Sequence, residues 1–597
     1  MTRPSSPRDW DGSPWRAVNR EGIELARRGF FEAAAARFRD ALRLRPDFAD
    51  AHCNLGLVFT LTNRFADAAA CLEAALALDP DSPVVWNNLS NALRELGHHD
   101  RAGDAARAAL RLRPDFAHAH NNLGSVLMLE RRLADAEASF RRAAELDPGM
   151  AEAHSNLCQV CHLQNRFDDA VRFGLTAVRL RPGFADAHNH LATALMARGE
   201  HSAATACLDE ALRLRPDYLL ADLNRAHLLL RRGQFDEGET ICRVALARHG
   251  DQPEAHNGLA VILMRQGKLD EALAHFDAAV RLNPEFAAAH LHRGMLLLLR
   301  GDFARGWAEY EWRWRCTAPR PLPHPVWDGS DPAGWTLVLH VEQGVGDTLQ
   351  FVRYAPLLRR RGARVLLACD PTLEPLLGAS NLIDGFARPG APVLAGARHV
   401  GLMSLPWLLG TNADTIPAPA PYLTANPGLV QVWGKHLATV SGRRVGVVWQ
   451  GNRYHPEDAH RSFPLARLEP LARIPGVRLV SLQVGHGRDQ IPTVGERFSI
   501  LDLGEQLLRT PGMFMDAAAI LRNIDVLVTC DTAVAHLAGA LGVPAWVALP
   551  FAPDWRWQLG RTDTPWYPTL RLFRQPRPLD WSGVFETMAA ELMRSSG

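Results

Sequence analysis

Residues 117–150 read AHAHNNLGSVLMLERRLADAEASFRRAAELDPGM. Within this block Gly124, Ala136, Phe140, Ala143 and Pro148 each belong to a column that recurs every 34 residues. The proline column is Pro46, Pro80, Pro114, Pro148, Pro182, Pro216 and Pro284, with Gly250 in the one intervening slot. Small residues recur at Gly22, Gly56, Ser90, Gly124, Cys158, Ala192, Ala226, Ala260 and Gly294. Two further small columns run through Ala34, Ala68, Ala102 and Ala136, and through Ala41, Ala75, Ala109 and Ala143. Large apolar residues recur at Phe38, Leu72, Phe140, Leu208, Phe276 and Tyr310. Small residues let two antiparallel helices approach closely, and the large ones fill the space between hairpins. Proline ends the second helix of each pair and turns the chain into the next.

A 34-residue helical hairpin is the length of the tetratricopeptide repeat, and the array resembles that family. About nine repeats are expected over residues 15–320, the first and last degenerate as capping repeats are. The resemblance implies a right-handed all-α superhelix with a concave ligand-binding face. Asn54, Asn88, Asn122, Asn156 and Asn224 share one slot on the first helix. Stacked amides can hold an extended protein or peptide acceptor by its backbone, or can simply be the common residue of this slot. His52, His120, His154, His188, His256 and His290 share another. Successive hairpins stand ~10 Å apart, too far for one metal ion, so these rings are expected to fill the place that Trp86 takes in its own repeat.

Bulk properties exclude several classes. The chain of 597 residues carries 66 basic and 65 acidic groups, which argues against a nucleic-acid surface. The polar N-terminus, residues 1–14, reads as disordered and lacks a signal peptide's apolar core. No stretch reaches ~18 uninterrupted apolar residues. The expectation is a cytoplasmic protein without a membrane span. Nine scattered cysteines make no disulfide framework, and the CxxC pair Cys158 and Cys161 falls on an inner helix face as core packing.

After Leu299 the pattern changes. Trp307, Tyr310, Trp312 and Trp314 form an aromatic cluster, read as a seam onto the next domain. Pro319, Pro321, Pro323 and Pro325 follow, and residues 321–334 read as a stiff linker. Beyond Trp335, strands and helices alternate. Strands are expected at Thr336–Val341, Arg364–Ala368, Val445–Trp449, Arg478–Leu482, Val526–Thr529 and Ala545–Leu549. Helices are expected at Asp347–Arg360, around Thr372–Leu377, at Leu465–Arg473, Met515–Arg522 and Thr532–Leu541. Such alternation predicts parallel sheets covered on both faces, in an acceptor-side half over 335–425 and a donor-side half over 440–597. Ligands of open α/β sheets bind beyond the carboxyl ends of the strands.

Three constellations lie at such ends. Glu342-Gln343-Gly344-Val345-Gly346-Asp347 follows the first strand, and its glycines allow close approach of a ligand. It fails the dinucleotide fingerprint, because Leu349 stands at the third glycine position, and it is not a Walker loop. Asp347 can serve as a general base or cap the following helix. Asp531, Thr532 and Ala533 open a helix whose free N–H groups suit an anion, with His536 one turn on as a ligand contact or a core histidine. Trp449-Gln450-Gly451-Asn452 precedes Arg461 and Ser462, which can hold a phosphate or form a solvated loop.

The Gly-x-Gly-Asp turn, the Asp-Thr-Ala-x-x-His-Leu-Ala segment beginning at Asp531 and the run Pro550–Trp557 resemble glycosyltransferase family 9, which includes the heptosyltransferases. The resemblance covers about residues 335–595. It implies a GT-B fold of two Rossmann-like halves, a nucleotide-sugar donor, inversion at the anomeric carbon, and neither metal nor cofactor. It makes Asp347 the base, with Gly344 and Gly346 shaping its turn. It places the donor on Gln450, Gly451, Asn452, Arg461, Ser462, Asp531, Thr532, Ala533 and His536. The repeats would then recruit the acceptor. A non-catalytic scaffold with a degenerate docking domain, and protein glycosylation of the O-linked N-acetylglucosamine transferase kind, remain as alternatives.

Overall fold

In the computed structural model, residues 13–316, 324–388, 396–417, 420–453, 455, 457–509 and 512–594 are described. They divide into two compact units that meet in sequence at Leu228 and Leu229. The expected disordered segment 1–14 lies outside the described residues up to residue 12, and the first helix begins at Pro14.

Eighteen helices in sequence, from Pro14–Arg27 to Phe303–Tyr310, make nine hairpins. The seventh is Leu219–Arg231 with Phe235–His249, the eighth Pro253–Arg265 with Leu269–Leu282, and the ninth Ala287–Leu299 with Phe303–Tyr310. The column arithmetic explains the packing. A methyl group on Gly22 would lie 2.6 Å from the Phe38 ring, one on Gly56 2.7 Å from Leu72, and one on Gly124 2.7 Å from Phe140. The small slot exists because the large residue 16 positions later fills it. The alanines at 34, 68, 102, 136, 170 and 204 are fully buried. Cys158 and Cys161 are buried in the same core. Burial pushes the Cys158 thiol up to about 12, and Arg166 donates to Cys161 Sγ at 2.9 Å.

The histidine column has a mechanical role. His52, His120, His188 and His290 each place Nε2 within 2.9–3.0 Å of the carbonyl of the proline six residues earlier, and Trp86 Nε1 donates to Pro80 O at 2.8 Å. A ring N–H satisfies a carbonyl left over where the preceding helix stops.

The rest of the second unit holds two parallel sheets. The first contains β1 (Thr336–His340), β2 (Arg364–Ala368), β3 (Gly385–Phe386) and β4 (Arg398–Gly401), in the order β3-β2-β1-β4. The second contains β5 (Arg443–Val448), β6 (Val477–Ser481), β7 (Ile500–Asp502), β8 (Val526–Cys530), β9 (Ala545–Leu549) and β10 (Leu570–Arg574), in the order β10-β9-β8-β5-β6-β7. The expected helix Asp347–Arg360 is three pieces: Val345–Phe351, a 3-10 turn Val352–Tyr354, and Ala355–Arg360. Pro356 near the start of the last piece lacks the N–H that would continue the first.

The linker expectation needs correction. Residues 317–323 lie outside the described residues, but Pro325–Trp327 is not a spacer. His399 N donates to Pro325 O at 2.9 Å and Trp327 N to His399 O at 2.8 Å, so the segment adds to the outer edge of β4. Trp327 is 1% exposed. An edge tolerates a proline because its missing N–H would face away from the sheet. The aromatic cluster is a seam in the second unit: Trp307 Nε1 donates to Thr411 O at 3.0 Å, and its ring meets Trp555 edge-on at 5.2 Å. Trp312 turns back to stack on His290 at 3.8 Å.

Candidate functional site

Each sheet has one point where the chain's strand order reverses: between β1 and β4 in the first, and between β5 and β8 in the second. Loops leaving such neighbouring strands diverge and leave a crevice. The sequence constellations lie at these two points.

At the β5/β8 point the loop after β5 is fixed by Gln483, a residue the sequence reading missed. Its Oε1 accepts from Trp449 N and Gln450 N, both at 3.1 Å, and its Nε2 donates to Gln450 O at 3.0 Å and His486 O at 2.7 Å. Gly451 N donates to Ser462 Oγ at 3.1 Å, and Ser462 Oγ donates to Asp458 Oδ1 at 2.9 Å. A side chain on Gly451 would collide with Arg461 Nη2 at 2.7 Å and Asp458 Oδ1 at 2.8 Å. Glycine is therefore required for Arg461 to lie across the loop. Asn452 O accepts from His455 N at 2.8 Å.

Beside it, β8 ends in Asp531 and Thr532, and the helix Ala533–Leu541 begins. Thr532 is the N-cap in extended conformation. Its hydroxyl turns to Thr529 Oγ1 at 3.2 Å and makes no cap bond, so it leaves the first helical N–H groups to another acceptor. The Asp531 carboxyl is pushed up to about 6, first by burial and then by the Asp554 carboxylate, against the opposing Arg461 and Arg556 charges.

His536 is 5% exposed, with Nδ1 at 3.0 Å from Tyr567 OH and its ring stacked on Trp557 at 5.4 Å. Burial and then the Arg556 charge hold its imidazole well below the usual range, so it is neutral. It serves as packing: a methyl on Gly346 would lie 3.0 Å from His536 Cδ2 and 3.6 Å from Ala533 Cα. Gly346 is thus where the turn after β1 meets the helix after β8.

Asp347 sits on that turn. Its Oδ2 accepts from Gly344 N at 2.9 Å and its Oδ1 pairs with Arg556. Arg556 also donates through Nε to Gln350 Oε1 at 2.9 Å and through Nη1 to Asp554 Oδ1 at 2.8 Å. Arg556, Asp554 and Gln350 were not singled out as site residues. The cue was a charge set between Trp555 and Trp557, an expensive place for an unpaired cation.

The β1/β4 point is filled by the chain itself. Arg313 Nε donates to Glu342 Oε2 at 2.6 Å, and Nη2 donates to Ser404 Oγ at 2.6 Å. Burial raises the Glu342 carboxyl, and Arg313 opposes the shift.

The asparagine column bonds its neighbours in the array. Asn54 Nδ2 donates to Asn19 Oδ1 at 3.3 Å, Asn122 to Asn87 Oδ1 at 2.9 Å, Asn156 to Asn121 Oδ1 at 2.9 Å and Asn224 to Asn189 Oδ1 at 2.8 Å. Asn88 differs: its Oδ1 accepts from Asn87 Nδ2 at 3.5 Å within its own helix. Apart from Asn88, each of these amides ties its first helix to the one before it through a side-chain N–H. Changing Asn122 and Asn156 together to alanine is expected to cost the first unit about 1–3 kcal/mol, at ~0.5–1.5 per bond between side chains. Urea unfolding measures this, and an unchanged midpoint would return the amides to a ligand.

The tetratricopeptide-repeat profile matches residues 19–83, 87–151, 132–185, 164–218, 189–253, 223–285 and 257–311. The chain carries a tetratricopeptide-repeat array. It is similar to Protein FlbA of Caulobacter vibrioides, at 28% identity over 352 residues. That match covers 54% of this chain and 58% of FlbA, so it spans under two thirds of the relative. Among solved structures it is similar to Pseudomonas aeruginosa PilF, at 22% identity over 35% of this chain and 94% of that one, with a TM-score of 0.31. A tetratricopeptide repeat protein from Parabacteroides merdae is 14% identical over 42% of this chain and 98% of its own, with a TM-score of 0.36. Among the described residues, no helix is long and apolar enough to cross a membrane.

Proposed function

We propose that the α/β region is a glycosyltransferase of the GT-B kind, acting on a nucleotide-sugar, and that the repeats engage a protein acceptor. The observation that carries the reading is the β5/β8 switch point. There Arg461 lies across Gly451 beside a helix N-terminus that its own N-cap does not close. A fixed cation and free amides suit a diphosphate leaving group. Asp347 lies next to that helix, through Gly346, on the turn of the other sheet. In the transfer, the acceptor hydroxyl gives its proton to the Asp347 carboxylate. Its oxygen then bonds the anomeric carbon, and the bond from that carbon to the diphosphate oxygen breaks. The departing charge falls to Arg461 and the helix amides.

One observation favours a docking module without chemistry: both Asp347 oxygens already have partners. Calorimetric titration of the full chain with nucleoside diphosphates separates the two. Binding of at least one diphosphate is expected, weakened roughly 10–100-fold by Arg461→Ala, the worth of a charge-assisted hydrogen bond. No binding of any diphosphate at millimolar concentration favours the docking module.

A further inference from the structure

Arg461 sits on a single helical turn, Asp458–Arg461, and one turn cannot hold itself in water. On its C-terminal side the chain is tied to the loop that leaves β5, through Ser462 Oγ to Gly451 N and through Phe463 N to Trp449 O at 3.0 Å. On its N-terminal side the anchors come from the helical repeats. Arg265, the last residue of Pro253–Arg265, places Nη2 2.8 Å from Glu457 Oε2. His460, 9% exposed, meets Phe235 with ring centroids 6.0 Å apart. Phe235 opens the second helix of the seventh hairpin.

The same hairpins touch the α/β region a second way. Gly233, Gly267 and Gly301 turn the seventh, eighth and ninth hairpins with φ of 74°, 79° and 84°. A methyl on each would lie 2.2 Å from Leu579, 2.8 Å from Phe551 and 3.3 Å from Gln558. Gly97 and Gly199 turn earlier hairpins in the same conformation and have nothing within 4 Å. Elsewhere this slot holds Asn63, Arg131 and Asn165 with positive φ, so the conformation alone does not demand glycine. In the seventh and eighth hairpins the close approach to Leu579 and Phe551 favours it.

We infer that the seventh and eighth hairpins are working parts of the anion site: Phe235 and Arg265 are positioning residues that fix the turn Glu457–Arg461 and thereby set Arg461 across Gly451. The identity of the anion rests on the transferase reading; the positioning does not. The unit boundary after Leu228 agrees, because it leaves these anchors in one compact unit with the loop they hold.

Hydrogen–deuterium exchange and pyrophosphate titration of the full-length protein test this together. Phe235→Ala and Arg265→Ala are each expected to speed amide exchange at 457–463 roughly tenfold or more, with β5 and β8 unchanged. Both are expected to weaken pyrophosphate binding by roughly tenfold, with Phe235→Tyr and Arg265→Lys recovering most of it. Unchanged exchange at 457–463, or an increase spread evenly over β5 and β8, overturns the inference. Local loosening in a protein that binds no pyrophosphate upholds the positioning and removes the diphosphate reading.

Discussion

Arg556→Ala is expected to destabilise the second unit by about 3–5 kcal/mol, the cost of removing one member of a buried ion cluster. The guanidinium is 7% exposed and bonds Asp347, Asp554 and Gln350, three groups on two segments far apart in sequence. Its loss leaves two partly buried carboxylates facing each other across the vacated space. Arg556→Lys is expected to recover less than half, because an ammonium cannot span three acceptors held in a planar fork. Adding Asp347→Asn and Asp554→Asn to Arg556→Met is expected to restore most of the loss, since no unpaired charge then remains. Urea unfolding followed by far-ultraviolet circular dichroism reads all of these. A loss under ~1 kcal/mol for Arg556→Ala would mean that water, and not Arg556, neutralises the two carboxylates.

The repeats were readable because every hairpin solves the same packing problem. Gly124 faces Phe140 for the reason that Gly22 faces Phe38, so the constraint is written once per 34 residues. The central strands were readable as apolar runs, and β2 and β9 have the expected bounds. Four strands were not: β3 has two residues and β7 three, too few to show a period. β4 is Arg-His-Val-Gly, and β10 alternates with exposed Arg571, so neither reads as a buried run. The site was readable where a loop follows a strand and opaque where partners come from elsewhere. Nothing local to Asp347 announces Arg556, which lies 209 residues on. Nothing local to Arg461 announces Phe235 or Arg265. The partners of the asparagines were hidden because slot periodicity fixes position on a helix but not the direction of the amide.

On the transferase reading, Asp347→Asn is expected to lower sugar transfer roughly 10²–10⁴-fold, the usual worth of a positioned general base. The substitution separates two roles that share one side chain. As a cap, Asp347 accepts from Gly344 N, and an asparagine oxygen can continue to do so. As the partner of Arg556 it neutralises a buried cation, and an asparagine NH₂ would set donor against donor, at a cost of about 1–3 kcal/mol. Neither role moves the proton. Transfer must therefore be measured well below the variant's melting temperature, beside a diphosphate titration. Affinity should stay near wild type, because Arg461 and the helix after β8 hold the anion. Arg556 pairs with the wild-type carboxylate on the turn that meets the helix starting at Ala533. The bond must loosen or the carboxylate share its oxygens when the hydroxyl arrives, so the Arg556 pairing sets a threshold that acceptor binding has to meet. A folded Asp347→Asn protein that binds diphosphate normally and transfers at the wild-type rate would reduce Asp347 to a cap and ion-pair partner. The base would then have to be sought among groups at the β5/β8 point, where Asp531, with its carboxyl pushed up to about 6, is the next carboxylate beside the helix N-terminus.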